Sequence, residues 1–179
     1  MEERNYREAI RIIQHSHIDS QAICSYLQRN GFEDIALHFV TEPRARFTLA
    51  IRCGNLEIAL QCARELDLPD IWNSLAEEAL KQGNHEIVEM AYQHTKAFDK
   101  LSFLYVITGN MEKLRKMLRI AELRNDIMGR CHNALFLGDV GARITLLREV
   151  GQPSLAYLTA VTHGLDDVAQ QIYEELQVS

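Results

Sequence analysis

A Gly followed by Asn or Asp recurs along this chain at a nearly constant interval, and this recurrence restricts the possible folds more than any other feature. The dipeptides are Gly54-Asn55, Gly83-Asn84, Gly109-Asn110 and Gly138-Asp139, and Gly164 continues the series. Successive glycines are 29, 26, 29 and 26 residues apart. A period of this size is typical of repeat proteins in which each unit is one supersecondary element.

Each of these dipeptides has the chemistry of a boundary between two helices. Glycine adopts the left-handed backbone conformation that ends a helix, and an Asn or Asp side chain accepts hydrogen bonds from the free N–H groups of the next helix. Three of the turns place a carboxylate in the first turn of that next helix, at Glu57, Glu86 and Glu112. A carboxylate at this position interacts favourably with the helix dipole. The pattern therefore predicts a helix end followed directly by a helix start.

The remaining sequence predicts an all-α chain of about thirteen short helices. Pro43, Pro69 and Pro153 each stand just before an apolar-periodic stretch, where a missing N–H is tolerated because first-turn donors are unpaired. No window alternates at period two with β-branched residues, so we predict no sheet. The predicted helices cover residues 5–15, 20–30, 32–40, 43–52, 55–66, 69–81, 84–95, 97–107, 111–123, 126–137, 140–150, 153–162 and 165–176.

The distribution of apolar residues predicts that these helices stack as a solenoid. Segments 47–51, 103–107 and 155–158 are apolar nearly all round, which is typical of helices that are covered on several sides. The helices after the Gly-Asn turns are apolar on one face only. We therefore predict a single α-solenoid domain over residues 1–179, in which each unit contacts its neighbours.

One unit follows the packing pattern of a tetratricopeptide repeat. Its large and small residues are Trp72, Leu75, Ala76, Ala79, Gly83 and Ala91. The period is shorter than the 34 residues of that repeat, so the predicted hairpins are tetratricopeptide-like. Because Leu75, Ala76 and Ala79 share a helix face with Trp72, we expect this tryptophan to pack in the core and not to anchor an interface.

Charge and composition exclude several function classes. The formal net charge is −6 and 25% of the residues are charged, so the overall electrostatic field opposes binding to nucleic acid or to an anionic bilayer. No stretch approaches the roughly 18 uninterrupted apolar residues of a membrane span. These features predict a soluble, cytosolic chain with no nucleic-acid partner.

The sequence offers no site for catalysis, a cofactor or a metal. His15, His17 and Cys24 lie close together in sequence, but nothing completes a four-ligand set, so we predict no metal site. Phosphate-binding glycine loops and a nucleophile elbow are both absent. The cysteines Cys24, Cys53, Cys62 and Cys131 form no C-x-x-C pair, and we interpret them as reduced core residues.

One basic helix stands out in this acidic chain. Residues 111–124 contain five cations but only two carboxylates, Glu112 and Glu122. Such a helix is either a solvated face or a docking patch for an acidic partner surface or for lipid headgroups. The candidate docking residues are Lys113, Arg115, Lys116 and Arg119.

Many short motifs, in order, resemble the alpha subunits of coatomer (alpha-COP). They include Tyr26-Leu27-Gln28-x-x-Gly31, Cys53-Gly54-Asn55-x-Glu57-Ile58, Phe98-Asp99-Lys100-Leu101, Glu112-Lys113-Leu114-Arg115-Lys116-Met117 and Ser154-Leu155-Ala156-Tyr157-Leu158. The resemblance covers nearly the whole chain. It corresponds to the helical solenoid of that family, so we expect a fragment that lacks the family's propellers and C-terminal domain.

This resemblance implies a structural role and no enzymatic activity. It implies a scaffold segment of the COPI coat that pairs with the solenoid of beta'-COP in the outer cage layer. The full complex would hold the other coatomer subunits and serve retrograde Golgi-to-endoplasmic-reticulum and intra-Golgi transport. The implied location is cytoplasmic, peripheral on Golgi membranes and COPI-coated vesicles, with membrane contact only through the coat.

Two other functions remain open from the sequence. A tetratricopeptide-like adaptor that binds a peptide would need polar or basic residues projecting into its groove from consecutive repeats. A helical hydrolase or transferase would need titratable groups that converge in a cleft. The sequence identifies neither set of residues.

Overall fold

The computed structural model describes residues 25–27 and 29–178, and these residues form helices and turns without a strand. Residues 25–27 are helical. The helices that follow are α1 (Glu33–Ala36), α2 (Pro43–Arg52), α3 (Leu56–Leu66), α4 (Pro69–Lys81), α5 (His85–His94), α6 (Phe98–Ile107), α7 (Met111–Leu123), α8 (Ile127–Leu137), α9 (Val140–Glu149), α10 (Pro153–Thr162) and α11 (Asp166–Val178). The all-α prediction is therefore confirmed for this part of the chain.

Most predicted helix boundaries agree with the structure to within two residues, and one does not. The predicted helix 32–40 is too long, because α1 ends at Ala36. The backbone N–H groups of His38 and Phe39 bond to the carbonyl three residues earlier, at Ile35 and Ala36, so the chain tightens out of α geometry. The predicted helix 5–15, and most of 20–30, lie outside the described residues.

The Gly-Asn turns have the predicted geometry. The side chains of Asn55, Asn84, Asn110 and Asp139 each accept a hydrogen bond from the N–H three residues later, at 3.1, 3.2, 3.1 and 2.9 Å. The glycine before each cap has a positive φ, for example +67° at Gly138. Each side chain thus satisfies one donor that the helix start leaves free.

A second set of turns follows the alternate helices; the predicted helix boundaries place turns there, but the Gly-Asn repeat does not mark them. Asp67, Lys96 and Asn125 have φ values of 48°, 54° and 55°, and they come directly after, or two residues after, the ends of α3, α5 and α7. Left-handed conformations at non-glycine residues are uncommon, although Asp and Asn tolerate them better than most. These turns have no shared residue type, which explains why the repeat of glycines identified only half of the turns.

The described residues up to Lys96 form one compact unit. In its described part, α2 packs on α3, α3 on α4, and α4 on α5. Leu75, Val88 and Cys62 are among its fully buried side chains. Trp72 is only 4% exposed, which confirms that it is a core residue.

The described residues from Ala97 to Val178 form a second compact unit. Its helices pack in sequence order from α6 to α7 and onward to α11, and α6 also contacts α8. Five buried residues form a cluster between α9, α10 and α11: Ile144, Ala156, Ala160, Ala169 and Ile172. The alanines allow the helices to approach closely. The single-domain interpretation of the whole chain stays a prediction.

The sequence led us to expect that the helices that are apolar all round would be covered on several sides. In the structure, α6 and α10 are covered on one side only. Leu104, Tyr105 and Ala156 are buried, but Phe103 and Leu158 are each 56% exposed. The described neighbours pack against one side of α6 and α10 and leave their outer side uncovered. The expectation was therefore wrong for this outer face.

Candidate docking surfaces

The basic helix α7 has two clearly different sides. Leu114, Met117 and Ala121 point into the core of the second unit. The opposite side carries Glu112, Arg115, Lys116, Arg119, Glu122 and Leu123, all of which are exposed. We call this set the basic face of α7.

Two of the five cations in residues 111–124 contact aromatic rings. The Lys113 ammonium lies 5.6 Å from the centroid of the Tyr105 ring, and Lys113 is half-buried. The Arg124 guanidinium lies 4.1 Å from the centroid of the Phe98 ring. Both contacts have the geometry of cation–π interactions within the second unit, so these two side chains contribute to the packing of α6 against α7 and its following turn.

The structure brings together three of the four candidate docking residues. Arg115, Lys116 and Arg119 share the basic face and make no ion pair with any residue that the structure describes. Lys113 lies on a different side of the helix, next to Tyr105. At the C-terminal end of the basic face lies Leu123, which is 89% exposed. The three free cations and this apolar residue together offer a partner both charge and apolar contact.

A shallow cleft of about 500 Å³ lies in the first unit, between the end of α3, α4 and the end of α5. The His94 ring stacks on Trp72 with 4.3 Å between ring centroids, and His94 Nε2 lies 3.2 Å from Asp67 Oδ1. The Trp72 indole N–H donates to the same carboxylate oxygen at 3.4 Å. The Asp67 carboxylate, in the turn after α3, therefore contacts one ring nitrogen of Trp72 on α4 and one of His94 on α5. These contacts connect the three helices.

The cysteine and metal predictions can be followed only in part. Cys53, Cys62 and Cys131 are free thiols, and Cys62 is buried as expected for a core residue. Burial, together with a hydrogen bond to Asp34, raises the pKa of Cys53 to about 11. Within the described residues no group of three or more His, Cys, Asp or Glu side chains could hold a metal ion. The candidate ligands His15, His17 and Cys24 lie outside that part of the chain.

The structure also shows an apolar surface that the sequence analysis missed. Six large side chains on the outer sides of α6, α8 and α10 are at least half exposed: Phe103, Ile107, Met128, Leu135, Leu155 and Leu158. We call this set the apolar stripe. The available signal was the nearly uniform hydrophobicity of residues 103–107 and 155–158, which we interpreted as burial by neighbouring helices. No helix in the described part of the chain is both long and apolar enough to cross a membrane.

Comparison with known proteins places this arrangement in a family. The chain is 49% identical over 173 residues to coatomer subunit alpha-2 of Arabidopsis thaliana, which covers 97% of this chain and 14% of that protein. It is 49% identical over 169 residues to the putative coatomer subunit alpha of Schizosaccharomyces pombe, or 94% of this chain and 14% of that protein. It is 41% identical over 175 residues to coatomer subunit alpha of Saccharomyces cerevisiae, which covers 98% of this chain and 15% of that protein.

The chain thus spans about one seventh of the length of these relatives. A model of the COPA/B TPR domain family matches residues 4–175, which is nearly the whole sequence. The match includes the Gly-Asn turns, the basic helix α7 and the helices that carry the apolar stripe. The helical hairpins, the repeat period and these similarities agree that the chain belongs to the COPA/B TPR domain family.

Proposed function

We propose that this chain is a scaffold segment of the coatomer (COPI) coat and pairs with the solenoid of beta'-COP. The observation that carries this proposal is the similarity to coatomer alpha subunits along 94–98% of the chain. In the full coat the other coatomer subunits are further partners. The segment works in the cytoplasm, on Golgi membranes and COPI-coated vesicles, and reaches the membrane only through the coat.

The mechanism that we propose is positioning and involves no catalytic step or cofactor. Within the second unit, neighbouring hairpins are held together by contacts about one repeat apart, such as the two hydrogen bonds from Arg148 to Glu175 at 2.6 and 2.9 Å. A repeat array of this kind sets the distance between the elements at its two ends. Many weak contacts between such arrays add up to strong binding when they engage together. The resulting lattice would hold the outer layer that shapes retrograde Golgi-to-endoplasmic-reticulum and intra-Golgi vesicles.

We assign the basic face of α7 a supporting role in this pairing. Arg115, Lys116 and Arg119 carry no ion pair in the described structure, so their charges are available to an acidic surface. Charges at the rim of an interface mainly accelerate association and select the partner. Lys113 contacts the Tyr105 ring and lies beside the basic face. We therefore do not count it among the residues that face the partner.

Size-exclusion chromatography with light scattering tests the pairing. This chain is mixed with the beta'-COP solenoid at low and at moderate salt, and we expect a stoichiometric complex that salt weakens. If the folded chain elutes alone under both conditions, the pairing is wrong and the peptide-binding adaptor becomes the better explanation.

A charge-matched pair of variants tests the basic face separately. Arg115→Glu/Arg119→Glu reverses two charges of the basic face, and Arg29→Glu/Arg44→Glu reverses two exposed charges of the first unit. We expect the first variant to slow association about tenfold or more at low salt, and the control to lie near the unchanged chain. If the two variants associate at equal rates, the effect is due to net charge, and the basic face is not part of the interface.

A further inference from the structure

We propose that the apolar stripe of α6, α8 and α10 is the surface on which the helical repeats of the partner subunit pack, through an uncharged, apolar helix face of that partner. The inference rests on the pairing proposed above and assigns it a location. It is independent of the basic face of α7, because it depends on different helices and on different chemistry.

The first argument is the exposure of the stripe. Phe103, Ile107 and Met128 are 56%, 60% and 63% exposed. Phe103 and Ile107 are one helical turn apart on α6, Met128 and Leu135 are two turns apart on α8, and Leu155 and Leu158 are one turn apart on α10. Residues with these spacings lie on the same side of a helix. Each of the three helices therefore presents its apolar side outward.

The second argument is the absence of charge on the outer sides of α8 and α10, whereas α6 exposes Asp99 and Lys100 one turn before Phe103. The exposed residues of α8 are Ile127, Met128, His132 and Leu135. The exposed residues of α10 are Ser154, Leu155, Leu158, Val161 and Thr162. The one cation of α8, Arg130, is half-buried and donates to Glu149 at 2.7 Å, so its charge is used within the second unit. A peptide or headgroup recognised by charge would find no counter-charge on these two helices.

The third argument is that the equivalent surface of the first unit is different. Phe103 and Leu158 each stand six residues before the glycine that ends their hairpin turn, at Gly109 and Gly164. The residues six positions before Gly54 and Gly83 are Thr48 and Glu77, and both are exposed. The repeat fold therefore does not require an apolar residue at this position. At this position α8 also carries a polar residue, His132, so the exposed apolar side chains at this position belong to α6 and α10 only. They point to a contact at those two helices.

The size of the stripe fits one side of a protein interface. A half-exposed side chain of this size presents on the order of 100 Å², so six present about 600 Å², close to the ~800 Å² that one partner contributes to a standard interface. Because α6 and α8 are in contact, an apolar ridge of a partner helix can lie in the groove between them.

Calorimetric titration of the beta'-COP solenoid into this chain tests the inference. The stripe variant is Phe103→Asp/Leu158→Asp, and the matched control is Thr48→Asp, which introduces the same side chain at the same repeat position in the first unit. We expect the stripe variant to bind at least about 100-fold more weakly, because it would bury two unpaired charges. The control should bind within about twofold of the unchanged chain. Circular dichroism checks that each variant is helical.

A milder variant keeps the test valid if the aspartates prevent folding. Phe103→Ser/Leu158→Ser removes apolar area without adding charge, and we expect about tenfold weaker binding. If either folded stripe variant binds as tightly as the unchanged chain, the stripe is not the interface, although the pairing stands. If the unchanged chain does not bind at all, the pairing itself fails.

Two further measurements distinguish other occupants of the stripe. Light scattering of this chain alone would show a dimer that the stripe variant dissociates if the occupant were a second copy. Sedimentation with phosphatidylcholine vesicles would show stripe-dependent binding if the occupant were a lipid surface. Either result would overturn the assignment to a partner subunit. We expect a monomer that does not sediment with the vesicles.

Discussion

The Gln82 amide nitrogen Nε2 donates a hydrogen bond of 3.0 Å to the carbonyl oxygen of Gly54, one repeat earlier in the chain. The same nitrogen lies 3.2 Å from Glu78 Oε1, which holds the amide in place. The turn after α2 is therefore tied directly to the end of α4. A side chain at position 54 would enter this contact, because a Cβ built there lies 3.1 Å from Gln82 Nε2.

We expect Gly54→Ala to destabilise the first unit more than Gly83→Ala does. Both glycines have a positive φ, +70° and +73°, so each alanine costs about 1–2 kcal/mol for the left-handed backbone. Only Gly54→Ala also disturbs the Gln82 hydrogen bond, which adds up to about 1 kcal/mol. Urea unfolding followed by circular dichroism measures both. Equal losses would show that the bond from Gln82 contributes nothing to stability.

The helix caps make a second prediction. The Asn110 side chain accepts a hydrogen bond from the N–H of Lys113 at 3.1 Å, so Asn110→Ala should lower the free energy of unfolding by about 1 kcal/mol. Asn110→Asp keeps the acceptor and should restore the lost stability. The control is Asn73→Ala at an exposed position inside α4, where alanine is the better helix former and the change should be neutral or slightly stabilising. A neutral Asn110→Ala would contradict the capping role.

The ion pair between α8 and α9 predicts a pH-dependent contribution to stability. The hydrogen bond from Arg130, at 2.7 Å, lowers the pKa of the Glu149 carboxyl, and the same bond raises the pKa of Arg130. A carboxyl whose pKa is lower in the folded chain adds stability above its unfolded pKa and loses it as pH falls through the folded pKa.

We therefore expect Glu149→Gln to lower the urea midpoint at pH 7. The difference from the unchanged chain should shrink as the pH falls below about 4.3, the ordinary pKa of a glutamate, and vanish when Glu149 is protonated. Glu65→Gln, at an exposed carboxylate without an ion pair among the described residues, should show no such convergence. A difference that stays constant as the pH falls through the acid range would have another cause.

Cys53 should react slowly with alkylating reagents. Its burial and the neighbouring carboxylates Asp34 and Glu33 raise the pKa of its thiol to about 11, and the thiolate is the reactive form. At pH 8 the rate with iodoacetamide should be about 100-fold lower than in the urea-unfolded chain, where the pKa of a cysteine is about 8.5. Asp34→Asn should increase the rate in the folded chain. Mass spectrometry assigns the alkylated peptide, and rates that match in folded and unfolded chains would contradict this account.

Much of the fold could be predicted because its boundaries are chosen by local chemistry. Pro43, Pro69 and Pro153 begin helices as expected, and Asn84 caps α5 as expected. These contacts involve residues three or four positions apart, so the sequence alone contains both partners. The end of α1 was predicted about four residues too late, because its last carbonyls accept hydrogen bonds from nearby turn residues instead of continuing the helix.

The candidate surfaces were less predictable because they depend on which side of each helix the core takes. The sequence grouped Lys113 with Arg115, Lys116 and Arg119 by charge, but the packing of α6 against α7 turns Lys113 toward Tyr105. The same packing covers Leu104 and leaves Phe103 exposed, although the two residues are adjacent and both apolar.

The sequence by itself determined where the helices begin and end, the repeat period, and the family. Only the tertiary structure decided which cations remain free on α7 and which apolar residues of α6, α8 and α10 lie uncovered. The reason is that capping is settled between near neighbours in the chain, whereas exposure depends on contacts between helices that a local pattern does not specify. Phe103 and Leu158 became a candidate interface only when their neighbouring helices were seen to pack on the opposite side.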